Sequence, residues 1–301
     1  MTYSYASILN DSARVRWNID DVLVSVHDLD FAAPFLPEAL AMVEPLALEP
    51  LLALRANQIR GHGYVQLFAL VERFILPFVM MHAGDVLHSS AERLLALMRF
   101  GEEEAKHIAL FERFGEAFTI GFGTPCEVVG PSEEVVASVL AESPLAVGFA
   151  VLHIEWMTQD HYLASVREAG GICERYKSLL RCHWLEEAQH ARIDTLVLDG
   201  ALGAASEAAR LEAPRGYLRI LQELERAFVA QVELDLESFG RDGATLTGAQ
   251  RDAWRHVQRR AYARAFLGAG VRHPRFREFI DRWCPEAKPE LDERALRWSV
   301  P

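Results

Sequence analysis

Two Glu-x-x-His motifs are the residues of this sequence whose types and spacing best suit metal binding. The first runs from Glu104 to His107 in FGEEEAKHIAL, and the second runs from Glu187 to His190 in HWLEEAQHARI. On a helix, residues three apart lie about 60° from each other, so the glutamate and histidine of one motif can face the same ion. The two motif glutamates are 83 residues apart.

A lone glutamate precedes each motif at a constant distance. Glu72 in LVERF and Glu155 in LHIEWM are also 83 residues apart, and each lies 32 residues before the glutamate of its motif. Both have apolar neighbours, and a carboxylate is costly to bury in apolar surroundings unless something pairs with it. The sequence therefore contains one pair of helices twice, and each pair supplies one Glu and one Glu-x-x-His.

Four carboxylates and two imidazoles directed at one centre form the ligand set of a dinuclear site in a ferritin-like bundle. Four negative charges balance two divalent cations, and glutamate with histidine suits iron or manganese. We therefore predict an all-α fold with a ferritin-like four-helix bundle core and additional N- and C-terminal helices. The predicted cofactor is two iron ions (Fe2+/Fe3+), with manganese as the alternative metal. The competing interpretation, surface glutamates with incidental histidines, is opposed by the matched offset and the apolar neighbours.

His183 breaks the symmetry between the two halves. It lies four residues before Glu187 and seven before His190, in the pattern H-x-x-x-E-x-x-H. At 100° per residue the three side chains fall within about 60° of one another, on one helix face. The corresponding position in the first half is Phe100. His183 is therefore either a seventh ligand, which makes one metal richer in nitrogen, or a core histidine outside the ligand set.

Further acidic residues adjoin the motifs. Glu103 and Glu186 each precede a motif glutamate, and Asp194 lies one turn after His190. A carboxylate in such a position can accept a hydrogen bond from the free ring nitrogen of a ligand histidine and fix its tautomer. The alternative for each is a solvated acid on a helix face.

The composition is that of an ordinary globular protein. Of 301 residues half are hydrophobic and a quarter are charged, and the net charge is −12. An acidic chain is repelled by nucleic acids and anionic membranes, so we expect neither as a partner. The four dispersed cysteines contain no C-x-x-C pair, and the N-terminus has no apolar segment of the signal-peptide type. Both features favour reduced thiols in a cytoplasmic protein.

Apolar residues recur at spacings of three and four along most of the chain, which predicts helices. The most apolar stretch is interrupted by Glu72 and Arg73, so it is not expected to span a membrane. The first ~45 and last ~15 residues are expected to be irregular. We expect one domain, residues 1–301, with a metal-binding bundle at about 49–200 and a C-terminal helical extension at about 214–285. The predicted helices cover about 49–81 with a kink at Pro77, 89–118, 143–170, 173–198, 214–240, 248–268 and 274–283.

The ligand pattern as a whole resembles the diiron p-aminobenzoate N-oxygenase family, the arylamine oxygenases of nitro-group biosynthesis. The histidine at position 183 is the distinguishing part, because most ferritin-like oxygenases show only the six-residue set. An HP-x-F element (His273, Pro274 and Phe276) is also similar, and the resemblance covers roughly residues 35–285. The residues that carry it are Glu72, Glu104-x-x-His107, Glu155 and His183-x-x-x-Glu187-x-x-His190.

The resemblance implies a cytoplasmic homodimer that uses dioxygen and two electrons from an external donor. Its activity would be N-oxygenation of an amine, towards a hydroxylamine, nitroso or nitro product. The helix face near Glu72 offers no Arg or Lys to an acidic substrate, and Arg73 points about 100° away from it. The substrate is therefore expected to be less acidic than aminobenzoate, aliphatic, or tethered to a carrier. No catalytic residue is expected beyond the metal ligands.

Side chains near the ligands on the predicted helices are candidates for a substrate pocket, although apolar residues at such spacings are equally typical of a core. Six other histidines lack a partner at ligand spacing and are expected at the surface or at helix caps. The pocket candidates are Tyr64, Phe68, Phe100, Thr158 and Gln159. The six histidines are His62, His82, His88, His153, His161 and His256.

Two other functions share the same ligands. One is a diiron hydroxylase or desaturase that acts on C–H bonds, and the other is a ferritin-like metal-binding protein that is not an oxygenase. A single seven-residue site in a chain much longer than a minimal four-helix bundle disfavours metal storage.

Overall fold

Regular structure follows the apolar periodicity of the sequence. The structure is a computed structural model and describes residues 3–25, 27–130, 132–241 and 243–298. Within those ranges every regular element is helical, and none is a strand. The prediction of an all-α fold is confirmed.

The N-terminal segment is more regular than predicted. It contains the short helices α1 (Tyr5–Ser12), α2 (Ile19–Val22) and α3 (Glu38–Ala41), and a 3-10 turn at Glu44–Leu46. The expectation of ~45 irregular residues is therefore wrong, because an apolar period cannot be recognised over one or two helical turns. The side chain of Ser4 caps α1 by accepting a hydrogen bond from a backbone N–H.

Two helix pairs form the four-helix core. The first pair is α4 (Pro50–Asp85) and α5 (Ala91–Phe122), which is followed by the short α6 (Ser132–Leu140). The second pair is α7 (Pro144–His161) and α8 (Glu174–Ala204). α4 packs mainly along α5, whereas α7 packs along α8 and also along a later helix of the C-terminal part. The order Glu, Glu-x-x-His, Glu, Glu-x-x-His along these helices is the ferritin-like arrangement.

Capping residues define the starts of two core helices. Ser90 accepts a hydrogen bond from the backbone N–H of Arg93, and Ser143 accepts one from Ala146 ahead of Pro144. The ends depart from prediction, since α4 continues past Gly84 to Asp85 and α8 passes Gly200. Packing along these helices outweighs the local preference of glycine for a break.

The C-terminal part is a further layer of helices around the core. The predicted helix start at Pro214 is wrong, because Ser206 caps the helix and Pro214 lies in its interior. Residues 288–297 are also helical, with Leu291 buried, so the irregularity predicted for the last ~15 residues is wrong over this range, and residues 299–301 lie outside the described residues. The elements are α9 (Glu207–Gly240), α10 (Gly248–Tyr262), a π-helical turn (Ala263–Gly268), α11 (Ala269–Arg272), α12 (Pro274–Trp283) and α13 (Lys288–Arg297). A second π-helical turn, Tyr162–Val166, follows α7.

α4 is hydrophobic enough to be compared with a membrane span. Among the described residues it is the one helix that is long and apolar enough to cross a membrane, and its most apolar window has a mean hydropathy of 1.6. Sixty-seven per cent of that window is buried inside the structure. A helix that is apolar on all sides is typical of the centre of a large helical protein, and α4 occupies that place here.

Candidate metal centre

All seven predicted ligands lie inside the four-helix core. Glu72 comes from α4, Glu155 from α7, and the two Glu-x-x-His motifs from α5 and α8. Each of the seven side chains is buried, and none is more than 2% exposed. The four helices therefore bring the carboxylates and imidazoles into the same dry interior.

His183 belongs to the first of two compact groups of donor atoms. Glu72, His107, His183 and Glu187 each offer one atom, and these atoms lie within 4.8 Å of one another. Nε2 of His183 is 3.0 Å from Oε1 of Glu72 and 3.0 Å from Oε1 of Glu187. Of the two interpretations of His183, the structure favours a place inside the cluster.

The second group overlaps the first. It contains Glu104, His107, Glu187 and His190, again with donor atoms within 4.8 Å of one another. Nδ1 of His190 is 2.9 Å from Oε1 of Glu104 and 3.4 Å from Oε1 of Glu187. Glu187 is common to both groups, and its carboxylate can bridge two adjacent ions. His107 also belongs to both groups, but its Nδ1 has a single lone pair and can bind only one of the ions.

Glu155 lies beside these groups without being part of either. Both of its carboxylate oxygens are buried and have no hydrogen-bond partner among the described residues. Burial raises the pKa of Glu155 well above its ordinary value, and the nearby charge of Glu187 raises it further. Its free oxygens make Glu155 available to a cation at the second group.

Unsatisfied atoms show that the cluster suits a bound cation. Among the described residues, Nδ1 of His107 and Nδ1 of His190 have no hydrogen-bond partner, nor do both oxygens of Glu104 and one oxygen each of Glu72 and Glu187. A buried polar atom without a partner costs about 1–3 kcal/mol. Oxygen and imidazole donors without sulfur match iron and manganese. These residues therefore fit the predicted dinuclear metal group.

Several residues of the cluster have raised pKa values, which favours their protonated forms. Burial raises the pKa of Glu72 to about 8, although the hydrogen bond with His183 opposes the shift. Burial also raises the pKa of Glu104, and the charge of Glu187 adds to it. For His107, burial lowers the pKa, but the hydrogen bond to Glu186 and the nearby carboxylates of Glu187 and Glu72 outweigh it and bring the pKa to about 10. Positive charge is therefore stabilised at this centre.

Two outer carboxylates orient the motif histidines. Nε2 of His107 donates to Oε2 of Glu186 at 2.8 Å, and Nε2 of His190 donates to Oε2 of Glu103 at 2.9 Å. Each bond joins α5 to α8, so each motif histidine is held by the acid that precedes the other motif. Nδ1 of both rings is left to face the cluster.

The N-terminal segment reaches these outer carboxylates, which sequence reasoning missed. The hydroxyl of Ser12 donates to Oε1 of Glu103 at 3.0 Å. The ring of Trp17 lies parallel to that of His107, with 6.1 Å between centroids, and the ammonium of Lys106 lies 4.0 Å from the Trp17 ring and 2.5 Å from Glu186. No local motif marks Ser12 or Trp17, because their partners are about ninety residues away in the chain.

Asp194 does not take the position predicted for it. It is buried, and both of its oxygens lack a hydrogen-bond partner among the described residues. Burial raises its pKa well above the ordinary value. Glu103 already accepts the free N–H of His190, so Asp194 makes no hydrogen bond to that ring.

Two of the pocket candidates contact the cluster directly. The ring of Phe68 meets that of His183 edge-on at 5.0 Å, and the ring of Phe100 stacks on that of His190 at 4.0 Å. Both phenylalanines are buried, so they exclude water from the histidines. The position of the first half that corresponds to His183 is thus occupied by the aromatic ring of Phe100.

The polar pocket candidates are hydrogen-bonded within the protein. The hydroxyl of Tyr64 donates to Nδ1 of His161 at 2.6 Å. The hydroxyl of Thr158 donates to the carbonyl of Ile154 at 3.0 Å. Gln159 donates to the carbonyl of Trp184 at 3.5 Å. None of these three contacts joins a polar candidate to a predicted ligand.

Three histidines that were expected at the surface or at caps are core residues. His62, His153 and His161 are at most 4% exposed. His62 stacks on Phe118 at 4.4 Å. His153 and His161 each form hydrogen bonds with both ring nitrogens. Their spacing in the sequence carries no signal, since their partners lie on other helices.

Comparisons with known proteins give distant similarities. Neither a scan against protein-family models nor a search of curated proteins finds a match. An R2-like ligand-binding oxidase with an aerobically reconstituted Mn/Fe cofactor is 16% identical, covers 87% of this chain and 91% of its own, and gives a TM-score of 0.43. A variant of an R2-like ligand-binding oxidase with an aerobically reconstituted Fe/Fe cofactor is 14% identical. It covers 87% of this chain and 90% of its own, with a TM-score of 0.44. Because these TM-scores are low, the candidate ligands are assigned from the geometry of the cluster alone.

Proposed function

We propose that this protein is a non-haem diiron oxygenase that uses dioxygen to oxygenate the nitrogen of an amine. The observation that carries the proposal is the place of His183, whose Nε2 lies 3.0 Å from the carboxylates of both Glu72 and Glu187. With His107 assigned to the first group, His183 gives that group two imidazoles, whereas the second group has only His190. The same histidine distinguishes the arylamine oxygenases that the sequence resembles.

The two overlapping groups would hold the two ions, with Glu155 completing the second. When bound, the metals supply the activation of dioxygen; iron in both positions is proposed, with manganese as the alternative. The first oxygenation converts RNH2, O2, two electrons and two protons into RNHOH and water, so an external electron donor is part of the proposal. Further cycles lead towards nitroso or nitro products.

The protein's own side chains position and protect the centre. Glu103 and Glu186 keep the protons of His190 and His107 on Nε2, so that Nδ1 faces the cluster. Phe68 and Phe100 cover the histidines and exclude water. A dry site strengthens every electrostatic interaction inside it.

The cellular location, oligomeric state, domain organisation and substrate are also proposed. We infer a cytoplasmic homodimer whose residues 1–301 form one domain, with the bundle at about 49–200 and the extension at about 214–285. The proposed substrate is a small-molecule or carrier-tethered amine, because the helix face near Glu72 offers no Arg or Lys to an acidic substrate.

The test is turnover by the iron-loaded protein with a chemical reductant, labelled dioxygen and a library of amines. Mass spectrometry should find oxygen from O2 on nitrogen, and Glu104→Ala should abolish the product. Oxygen on carbon, or a new double bond, would replace the proposal with the hydroxylase or desaturase function. Mineralisation of iron far beyond two ions per chain would replace it with metal storage.

A further inference from the structure

Exposed apolar side chains are concentrated where α4 ends and α5 begins. Thirteen large hydrophobic side chains are exposed among the described residues, and five of them lie between positions 80 and 98. Each of the five is 40–59% exposed. Single exposed apolar residues are ordinary on a protein surface, whereas a contiguous group of them marks an interaction site. The five residues, which form the hairpin patch, are Met80, Met81, Leu87, Leu95 and Met98.

The patch is continuous across the two helices. α4 and α5 pack along each other, and the turn at residues 86–89 makes them antiparallel. A Cβ atom added to Gly101 of α5 would lie 3.4 Å from Sδ of Met80, so Met80 covers α5 at this point. Met81 is the next residue of α4, and Met98 lies one turn before Gly101. Flexible methionine side chains at such a surface adapt to the shape of a partner.

Opposite charges lie on either side of Leu95 on the exposed face of α5. Glu92 lies three residues before Leu95, Arg99 lies four residues after it, and both are exposed. At 100° per residue the three side chains fall within about 60° of one another. Glu92 and Arg99 are two helical turns apart, about 10 Å, which is too far for an ion pair within one helix. Arg99 donates a long hydrogen bond of 3.5 Å to Ser12, but neither charge has an ion-pair partner among the described residues.

A second copy of the chain pairs both charges at once. Across a two-fold axis every contact occurs twice, since both copies use the same surface. If two α5 helices pack antiparallel with the axis beside Leu95, Arg99 of each copy faces Glu92 of the other, and the two Leu95 side chains meet at the centre. Charged residues that flank an apolar seam between helices determine partner and orientation in this way. The spacing of the two charges about Leu95 is thus self-complementary.

We propose that the hairpin patch is the interface of a homodimer in which two α5 helices pack antiparallel around Leu95. This inference rests on the homodimer of the proposed function and names the surface that forms it. Five large side chains that are about half exposed present roughly 400 Å² of apolar surface, a size that is often functional on a monomer. Polar neighbours such as Glu92 and Arg99 extend it towards the roughly 800 Å² per partner of a stable interface.

Other occupants match the patch less well. A membrane surface would meet a chain with a net charge of −12, which anionic lipids repel. A different protein could cover the methionines and Leu95, but its binding would not require the symmetric spacing of Glu92 and Arg99. A second copy uses both the apolar centre and the two charges.

The first test measures the dissociation constant of the dimer by sedimentation velocity over a range of concentrations. Leu95→Glu places two negative charges next to each other at the axis, so we expect the constant to rise by at least about 100-fold. A circular-dichroism spectrum verifies that the variant is folded. Leu51 is 81% exposed at the start of α4, outside the patch, so the control Leu51→Glu should leave the constant unchanged.

The second test uses the charges and depends on the two-fold symmetry. Arg99→Glu and Glu92→Arg each place like charges opposite one another, so each variant should be monomeric at concentrations where the natural chain is dimeric. In an equal mixture of the two variants, every facing pair is again of opposite charge. The mixture should therefore form heterodimers, and native mass spectrometry should detect their combined mass.

The outcomes distinguish the interface from the proposed function. A natural chain that stays monomeric at every concentration tested would overturn the interface and the proposed homodimer together. A dimer that Leu95→Glu does not weaken would overturn the interface alone and retain the homodimer. An equal mixture of the charge variants that forms no heterodimer would overturn the antiparallel pairing around Leu95. Amine oxygenation is measured separately by product mass, so its failure is distinguishable from each of these results.

Discussion

His107 on α5 donates a hydrogen bond of 2.8 Å from Nε2 to Oε2 of Glu186 on α8. The reverse bond, from His190 on α8 to Glu103 on α5, is 2.9 Å long. The sequence repeat thus produces two reciprocal hydrogen bonds, in which the glutamate before each motif accepts from the histidine of the other motif. Because both Nε2 atoms are used outside the cluster, both Nδ1 atoms are directed into it.

Removal of an outer carboxylate should weaken metal binding without removing a ligand. Glu186→Ala leaves His107 free to rotate and to change tautomer, and we expect the affinity for ferrous iron to fall by about 10–100-fold. Titration against a coloured chelator measures the affinity. Glu103→Ala should act in the same way on His190, whereas Glu102→Ala, at an exposed position of α5, is the control. Equal affinities in Glu186→Ala and Glu102→Ala would contradict this role.

Metal binding should stabilise the fold. The cluster holds four glutamates, each with at least one buried oxygen that has no partner among the described residues. A ligand that binds only the folded state raises the free energy of unfolding by mass action. At free iron about 1,000 times the dissociation constant, the gain is about 4 kcal/mol. Calorimetric melts with iron and with a chelator measure it. Coincident melts at neutral pH would mean that the glutamates do not act together on a cation.

The four-helix core was predictable because its signals are local and repeated. The 83-residue offset marks Glu104 and Glu187 without any knowledge of the fold. Helix bounds were less predictable where tertiary packing decides them, as at Pro214, which α9 accommodates in its interior. Whether the clustered residues bind metal stays a prediction, although the structure brings them together.

Several residues around the candidate metal centre could not be predicted from the sequence, because the residues they contact are distant in the chain. Ser12 reaches Glu103, and His161 reaches Tyr64, across about ninety residues or more. A periodic pattern records which face of a helix is buried, but not which helix covers that face. The histidines of α7 therefore looked unpartnered in the sequence, while in the structure both ring nitrogens of His153 and His161 are hydrogen-bonded.

Metal binding should release protons. Burial raises the pKa of Glu72 to about 8, so this group carries a proton at pH 7 in the metal-free protein and must lose it to bind a cation. Affinity should therefore rise as the pH increases from about 6 to about 8. Calorimetric titrations at pH 7, in two buffers of different ionisation enthalpy, give the number of protons released.

The variant Glu72→Gln tests the assignment of that proton. It should release fewer protons than the natural chain, because an amide has none to lose. A proton count of zero in the natural protein, together with an affinity that does not change with pH, would show that the cluster is already ionised before metal binds.

Acid should destabilise the protein through its buried neutral histidines. Burial lowers the pKa of His62 from 6.5 to about 4. Between these values the unfolded chain binds the proton and the folded chain does not, so stability falls as the pH falls through this window. A shift of this size corresponds to about 3 kcal/mol.

Comparison of the natural chain with a variant separates the pH dependence due to His62 from that due to the carboxylates. Urea unfolding of the natural chain and of His62→Phe, at several pH values from about 7 to about 4, gives two stability curves. The natural chain should lose about 3 kcal/mol relative to the variant across the window. His88→Phe, at an exposed position, serves as the control. Parallel curves for the natural chain and His62→Phe would refute the assignment.

His183 decides between N-oxygenation and the generic diiron activities. Its Nε2 lies 3.0 Å from both Glu72 and Glu187, and its counterpart in the first half of the sequence is Phe100. A neutral imidazole on one side makes the two metal positions unequal and fills a place that dioxygen or substrate would otherwise take. His183→Ala should therefore retain two irons per chain, since the other six predicted ligands remain. It should nevertheless lose amine oxygenation, while the two iron signals in the Mössbauer spectrum become more alike. His88→Ala controls for the loss of a histidine. Loss of both irons would instead mark His183 as essential to the structure of the site, and unchanged amine turnover would make the C–H hydroxylase the leading function.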